Sequence, residues 1–264
     1  MPGRPGGSTV DRMTLAHDTT GSGPAVLLLH SSVGDRRMWD PQWPVLAAAG
    51  FQVVRADFRG FGQTPPARVP YRDADDIRDL LDALGIGTAA LVGSSYGGAV
   101  ALEVAARWPE RVRALALLCA ALPGHQPSPR LREFGEREDA LLAAGDLAAA
   151  VELNLDTWLG PDADPATREA VRRMQRHAFE VQLAVPDEPE PVEVAIDLSA
   201  IRAACLAVSG RHDLPDFRQI AARLPGLVPG ARHVELPWAG HLPSLERPAE
   251  TTTMLTTFLR GGSG

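Results

Sequence analysis

Short, almost wholly apolar runs alternate with stretches in which apolar residues return every three or four positions, and the alternation persists from residue 25 to residue 122. The runs at 25–29, 51–56 and 88–92 suit short strands buried on both faces. The stretch 96–107 carries its apolar residues at helical spacing and stops before Pro109. Strand and helix taken in turn imply parallel strands joined by crossover helices. After residue 122 the rhythm changes: 123–196 contains no good strand but three helical stretches, near 131–144, 147–159 and 165–183. Gly145, the Gly160-Pro161 pair and an acidic proline-rich run at 186–191 punctuate them. Strand character returns at 205–209 and 232–236, and a last helix opens after Pro243. The expected organisation is a flexible polar tail at 1–12, an α/β core at 13–122 and 197–260, and a helical insertion at 123–196.

The strand at 88–92 runs into Gly93-Ser-Ser-Tyr-Gly97, immediately before the helix at 96–107. A serine hydroxyl must project from the backbone to reach a carbonyl carbon, and a sharp strand-to-helix turn achieves that. Such a turn leaves no room for side chains two residues before and after the serine, which Gly93 and Gly97 satisfy, so Ser95 is the candidate nucleophile. It needs a base, and the base needs an orienting acid. The Gly93–Gly97 turn resembles the nucleophile elbow of α/β-hydrolases, and that resemblance implies an acid after a late strand and a histidine after the last one. Asp213 stands just beyond the strand at 205–209, with Asp216 as a second choice, and His241 lies on the loop after 232–236.

Five motifs then coincide: His30-Ser-Ser-Val-Gly34, Asp57-Phe-Arg-Gly-Phe-Gly62, Gly93-Ser-Ser-Tyr-Gly97, Gly210-Arg-His-Asp213, and Gly240-His241 followed by Glu246 and Pro248. With them the chain resembles the α/β-hydrolase superfamily, in its branch with a helical cap, from about residue 13 to residue 259. The resemblance implies a mostly parallel, eight-stranded-type sheet flanked by helices, with the cap at 123–196 inserted before the strand that carries the acid. It implies two backbone amides as oxyanion donors: Tyr96, after the nucleophile, and Ser32, in the loop after 25–29. Relatives mostly have His-Gly where this chain has His30-Ser31. The run from Ser32 to Gln42 resembles the matching loop of 3-oxoadipate enol-lactonase-like hydrolases, which tilts the substrate class towards lactones and small activated esters. Ser31, Trp158, Met174, His177, Phe179 and Trp238 are candidate pocket residues, although apolar residues at helical spacing serve packing more often than substrate contact. Dehalogenase and epoxide hydrolase chemistry is disfavoured, because relatives that perform it resemble this fold with aspartate at the elbow.

Bulk properties narrow the field. At 264 residues the chain allows one large α/β domain or two small ones, and motifs spread from His30 to His241 require a single sheet to gather them. A net charge of −7 without basic tracts gives no general attraction to nucleic acid. No residue is lysine, which excludes Schiff-base chemistry and a serine-lysine dyad. The Asp57–Gly62 run lacks a helix start to hold a pyrophosphate and reads as a structural turn. His177 has no partner at metal-ligand spacing, so no metal and no cofactor is expected. The first residues lack an apolar core of a secretory signal, and the longest apolar stretch, 112–122, contains Arg113 and is too short for a bilayer. A cytoplasmic setting and no membrane partner follow as expectations. Cys119 and Cys205 are expected on neighbouring strands, too far apart to bridge, as buried packing residues.

The expected function is hydrolysis of a small carboxylic ester or lactone through an acyl-enzyme. The same three residues serve carbon-carbon bond hydrolysis or cofactor-free perhydrolysis, and a noncatalytic binding module is a third possibility. Oligomeric state is open.

Overall fold

The computed structural model describes residues 15–185, 189, 191–192 and 194–261. The expected tail at 1–12 and most of the acidic run at 186–191 lie outside the described residues. Seven strands form one sheet: β1 (His17–Thr20), β2 (Ala25–Leu29), β3 (Gln52–Ala56), β4 (Ala89–Ser94), β5 (Val112–Leu118), β6 (Ala204–Gly210) and β7 (Arg232–Leu236). They lie in the order β1-β3-β2-β4-β5-β6-β7, every pair parallel except β1 against β3. Against the eight-stranded expectation, seven strands are seen among the described residues, with the short β1 as the antiparallel edge strand. Burial explains why the central strands read as unbroken apolar runs: every residue of β2 and β4 is buried, and six of seven in β5.

Alternate side chains of each strand feed opposite faces. Leu27, Leu29, Leu91, Leu115, Leu117 and Ala207 pack with α2 (Asp73–Ala83), α3 (Tyr96–Arg107) and α7 (Pro215–Arg223). Val26, Leu28, Val92, Ala116, Leu118 and Val208 face α1 (Trp43–Ala48) and α9 (Pro248–Gly261), with Trp39 fully buried against them.

Between β5 and β6 the chain inserts α4 (Pro129–Ala143), α5 (Leu147–Trp158) and α6 (Pro165–Leu183), close to the spans read from apolar spacing. Their starts are chemically marked. Ser128, Asp146 and Asp164 each accept a backbone N–H three residues on, and proline occupies the first turn of α4 and α6. The insertion has no separate core: Ala150, Val151, Leu155, Val171, Met174 and Phe179 join the apolar cluster on the α1/α9 face of the sheet. The three helices are thus held over the carboxyl ends of the strands by the same burial that holds the sheet together. No helix among the described residues is long and apolar enough to cross a membrane.

Candidate active site

Ser95 follows β4 with φ 51° and ψ −115°, a left-handed conformation that β-carbon-bearing residues rarely adopt. The sheet fixes it there. Ser95 N–H donates to Leu118 O at 2.9 Å, and Ser95 O accepts from Ala121 N–H at 3.0 Å. A β-carbon on Gly97 would stand 2.5 Å from the carbonyl oxygens of Leu29 and His30, and one on Gly93 would overlap Gly97 O. Both glycines are therefore required by close backbone approach, as the motif implied. Cys119 is the other described non-glycine residue with positive φ, at 47°.

Asp213 and His241 meet beyond β6 and β7. His241 Nδ1 lies 2.8 Å from Asp213 Oδ2, and both side chains are at most 2% exposed. Asp213 Oδ1 accepts Leu214 N–H at 2.6 Å, which fixes the carboxylate's other oxygen. The His241 ring sits between Trp158 and Phe217, at centroid distances of 4.6 and 4.2 Å, and its backbone N–H donates to Trp158 O at 2.8 Å. Among the described residues Ser95 Oγ makes no hydrogen bond to the imidazole; catalytic hydrogen bonds often tighten only once a substrate is bound.

Two acids resolve differently from one another. Asp216, the second choice for the acid, is corrected: it accepts from Ser128 N–H at 2.7 Å, from Ser128 Oγ at 2.6 Å and lies 2.9 Å from His125 Nε2. It anchors the start of α4 and does not touch His241; burial pushes its pKa up, but these hydrogen bonds hold it below the usual range. Glu246, in the short helix α8 (Pro243–Glu246), is buried and accepts Gly240 N–H at 2.8 Å and Leu242 N–H at 3.0 Å. Its carboxylate ties down the residues on either side of His241. Sequence reasoning noted Glu246 only as part of a motif, since nothing in its spacing shows that the loop amides turn back towards it.

The loop after β2 lies against the start of α3, where Gly97 N–H donates to His30 O at 3.1 Å. His30 is a structural residue: its Nδ1 is 2.8 Å from Ser31 O, and its Nε2 accepts Phe58 N–H at 3.0 Å. Burial depresses its pKa. That tautomer, with the proton on Nδ1, fits both contacts. Ser31 is fully buried, and its Oγ accepts Val33 N–H at 3.4 Å. The backbone N–H groups of Ser32 and Tyr96 donate to no acceptor among the described residues. Both expected oxyanion donors are thus open.

The expected pocket residues separate. Trp158 lies on the His241 ring. Met174 packs over Gly34 in the β2 loop, and Phe179 is buried in the core. His177 Nε2 lies 2.9 Å from Gly62 O and latches α6 to the turn after β3. Trp238 carries the Arg247 guanidinium 4.9 Å from its ring. Asp57 and Arg59 are structural, as expected: Asp57 pairs with Arg36, and Arg59 with Asp76.

Tyr96 OH donates to Asp73 Oδ2 at 2.5 Å, while its ring meets Phe58 edge-on. Burial pushes Asp73 up to about 7, against the pull of the Tyr96 hydrogen bond. Ionising Asp73 therefore costs folding free energy increasingly as pH rises from its unfolded value near 3.9. Asp73→Asn, which cannot ionise, should gain stability relative to the parent between about pH 4 and 7 and level off above. Urea unfolding across that range checks it; a difference independent of pH would contradict the buried-acid assignment.

A family model described as the alpha/beta hydrolase fold matches residues 24–160, and the chain belongs to that family. Three solved structures are similar over nearly their full length. A hydrolase from Pseudomonas aeruginosa is 30% identical with a TM-score of 0.75, covering 93% of this chain and 94% of its own. The enol-lactonase from Burkholderia xenovorans is 27% identical at TM-score 0.76, covering 93% and 96%. The carboxylesterase CesB from Bacillus subtilis is 25% identical at TM-score 0.76, covering 93% and 87%. The protein is an α/β-hydrolase-fold enzyme of the hydrolase class.

Proposed function

We propose that the protein hydrolyses a small carboxylic ester or lactone through an acyl-enzyme, with Ser95 as nucleophile, His241 as base and then acid, and Asp213 as the group that orients His241. The observation that carries the reading is the buried Asp213–His241 hydrogen bond, 2.8 Å long, at the same sheet edge as the strained Ser95 elbow. His241 takes the Ser95 proton as Oγ attacks the carbonyl, and Asp213 stabilises the imidazolium that results. The developing oxyanion accepts from the N–H groups of Ser32 and Tyr96, which donate to no acceptor among the described residues. His241 returns the proton to the leaving group; a water activated by the same ring then releases the acid.

The helices at 123–196 act in this reading as a cap that excludes water and selects substrate, with Trp158 in contact with the base. Enol-lactonase and carboxylesterase neighbours favour this substrate class. The chemistry needs no cofactor, and a cytoplasmic setting accords with two buried, unpaired cysteines.

The test is covalent labelling with a fluorophosphonate, mapped by mass spectrometry. A single adduct on Ser95, formed at least tenfold more slowly in His241→Ala, is the expected result. Labelling that is absent, or indifferent to His241, overturns the assignment.

A further inference from the structure

Cys119 has no role in the acyl-transfer reading, yet it occupies a costly position. It is fully buried, it holds a left-handed φ that non-glycine residues rarely adopt, and its N–H donates to Val208 O at 2.8 Å. Its thiol sits 3.7 Å from Gly240 O, beside the histidine loop. Cys119 Sγ, a carboxylate oxygen of Asp213 and a ring nitrogen of His241 lie within 4.8 Å of one another, all three residues buried. Thiolate, carboxylate and imidazole together form a donor set that suits zinc and its soft relative cadmium.

We propose that Cys119, Asp213 and His241 form an inhibitory binding site for zinc-like divalent cations, in which the metal takes the place of the Asp213–His241 hydrogen bond. Its effect on turnover rests on the acyl-transfer reading above; the site itself does not. Ligand atoms around tetrahedral zinc stand roughly 3.5 Å apart, given bonds of about 2.0–2.3 Å. Drawing Cys119 inward by about an ångström and parting the 2.8 Å Asp213–His241 contact slightly creates that spacing.

The proton balance explains the inhibition. In the metal-free site the neutral imidazole carries its proton on Nδ1, facing Asp213, so Nε2 is free to accept from Ser95. A cation shared with Asp213 bonds Nδ1, and the ring proton moves to Nε2. The thiol proton leaves to solvent as the sulfur–metal bond forms. Two anionic ligands then neutralise the dication, and the base is left in the wrong tautomer to accept a proton.

The experiment uses the full chain and two readouts. Cadmium titration should show a thiolate-to-metal charge-transfer band saturating at one ion per chain, lost in Cys119→Ala and in Cys119→Ser. Zinc should slow both p-nitrophenyl ester hydrolysis and fluorophosphonate labelling of the parent at least tenfold, with full recovery in EDTA. The Cys119 variants, compared with their own metal-free rates, should need at least ten times more zinc. Absence of the band, or equal zinc sensitivity in parent and variants, overturns the site. A band with undiminished Ser95 labelling overturns the inhibition. A metal-free parent that neither hydrolyses esters nor labels counts against the acyl-transfer reading alone, and the cadmium band then decides the metal site.

Discussion

Ser95→Ala should lower ester hydrolysis by on the order of 10⁶-fold, the scale on which removing the nucleophile of an interdependent triad acts. The loss falls on kcat, because binding uses groups that the substitution leaves in place. Folding should survive: Ala has the same β-carbon as Ser, and the hydrogen bonds that hold the elbow, from Leu118 and Ala121, are made by the backbone. Circular dichroism and thermal melting of the variant, compared with steady-state rates, separate loss of chemistry from loss of fold. A variant that keeps even a tenth of the activity would show that hydrolysis does not pass through Ser95.

Asp213→Asn is expected to have the second largest effect, roughly 10⁴-fold in kcat. The asparagine fills the same space, but its amide group can face His241 as a donor and so select the tautomer with its proton on Nε2. That ring cannot take the Ser95 proton. Asp216→Asn provides the contrast within one short segment, since its carboxylate is committed to Ser128 and His125 at the start of α4. It should alter thermal stability far more than kcat. If the two variants exchanged these phenotypes, the roles of the two acids would have to be exchanged as well.

Much of this was legible in the chain itself, and the reasons are local. Ser95 could be found because its backbone geometry demands Gly93 and Gly97, a steric requirement that leaves its mark on sequence. The spans of α4, α5 and α6 could be found because apolar spacing and the Ser128, Asp146 and Asp164 caps mark them within a few residues. The choice between Asp213 and Asp216 was different: only two residues separate them, and the turn after β6 decides which one faces His241. Glu246 escaped for a related reason, because its partners are main-chain amides that carry no sequence signature. Of the pocket residues, His177 and Trp238 found other partners, Gly62 O and Arg247, that no periodicity foretells. The proximity of Cys119 to the acid and the base arises from the order of β5, β6 and β7 in the sheet, which a linear reading places only as neighbours.

The contact between Trp158 O and the His241 N–H ties the insertion mechanically to the proposed base. Glu246 reinforces it, accepting from the amides on either side of His241. Lifting α5 to admit a bulky molecule would therefore pull on the loop that aims the imidazole. A substrate that fits beneath a settled α5 meets an aligned proton acceptor, whereas one that props α5 open binds to a disarmed site. Size selection in such an enzyme should be written in turnover more than in affinity: oversized esters would occupy the site as inhibitors instead of being turned away at its mouth.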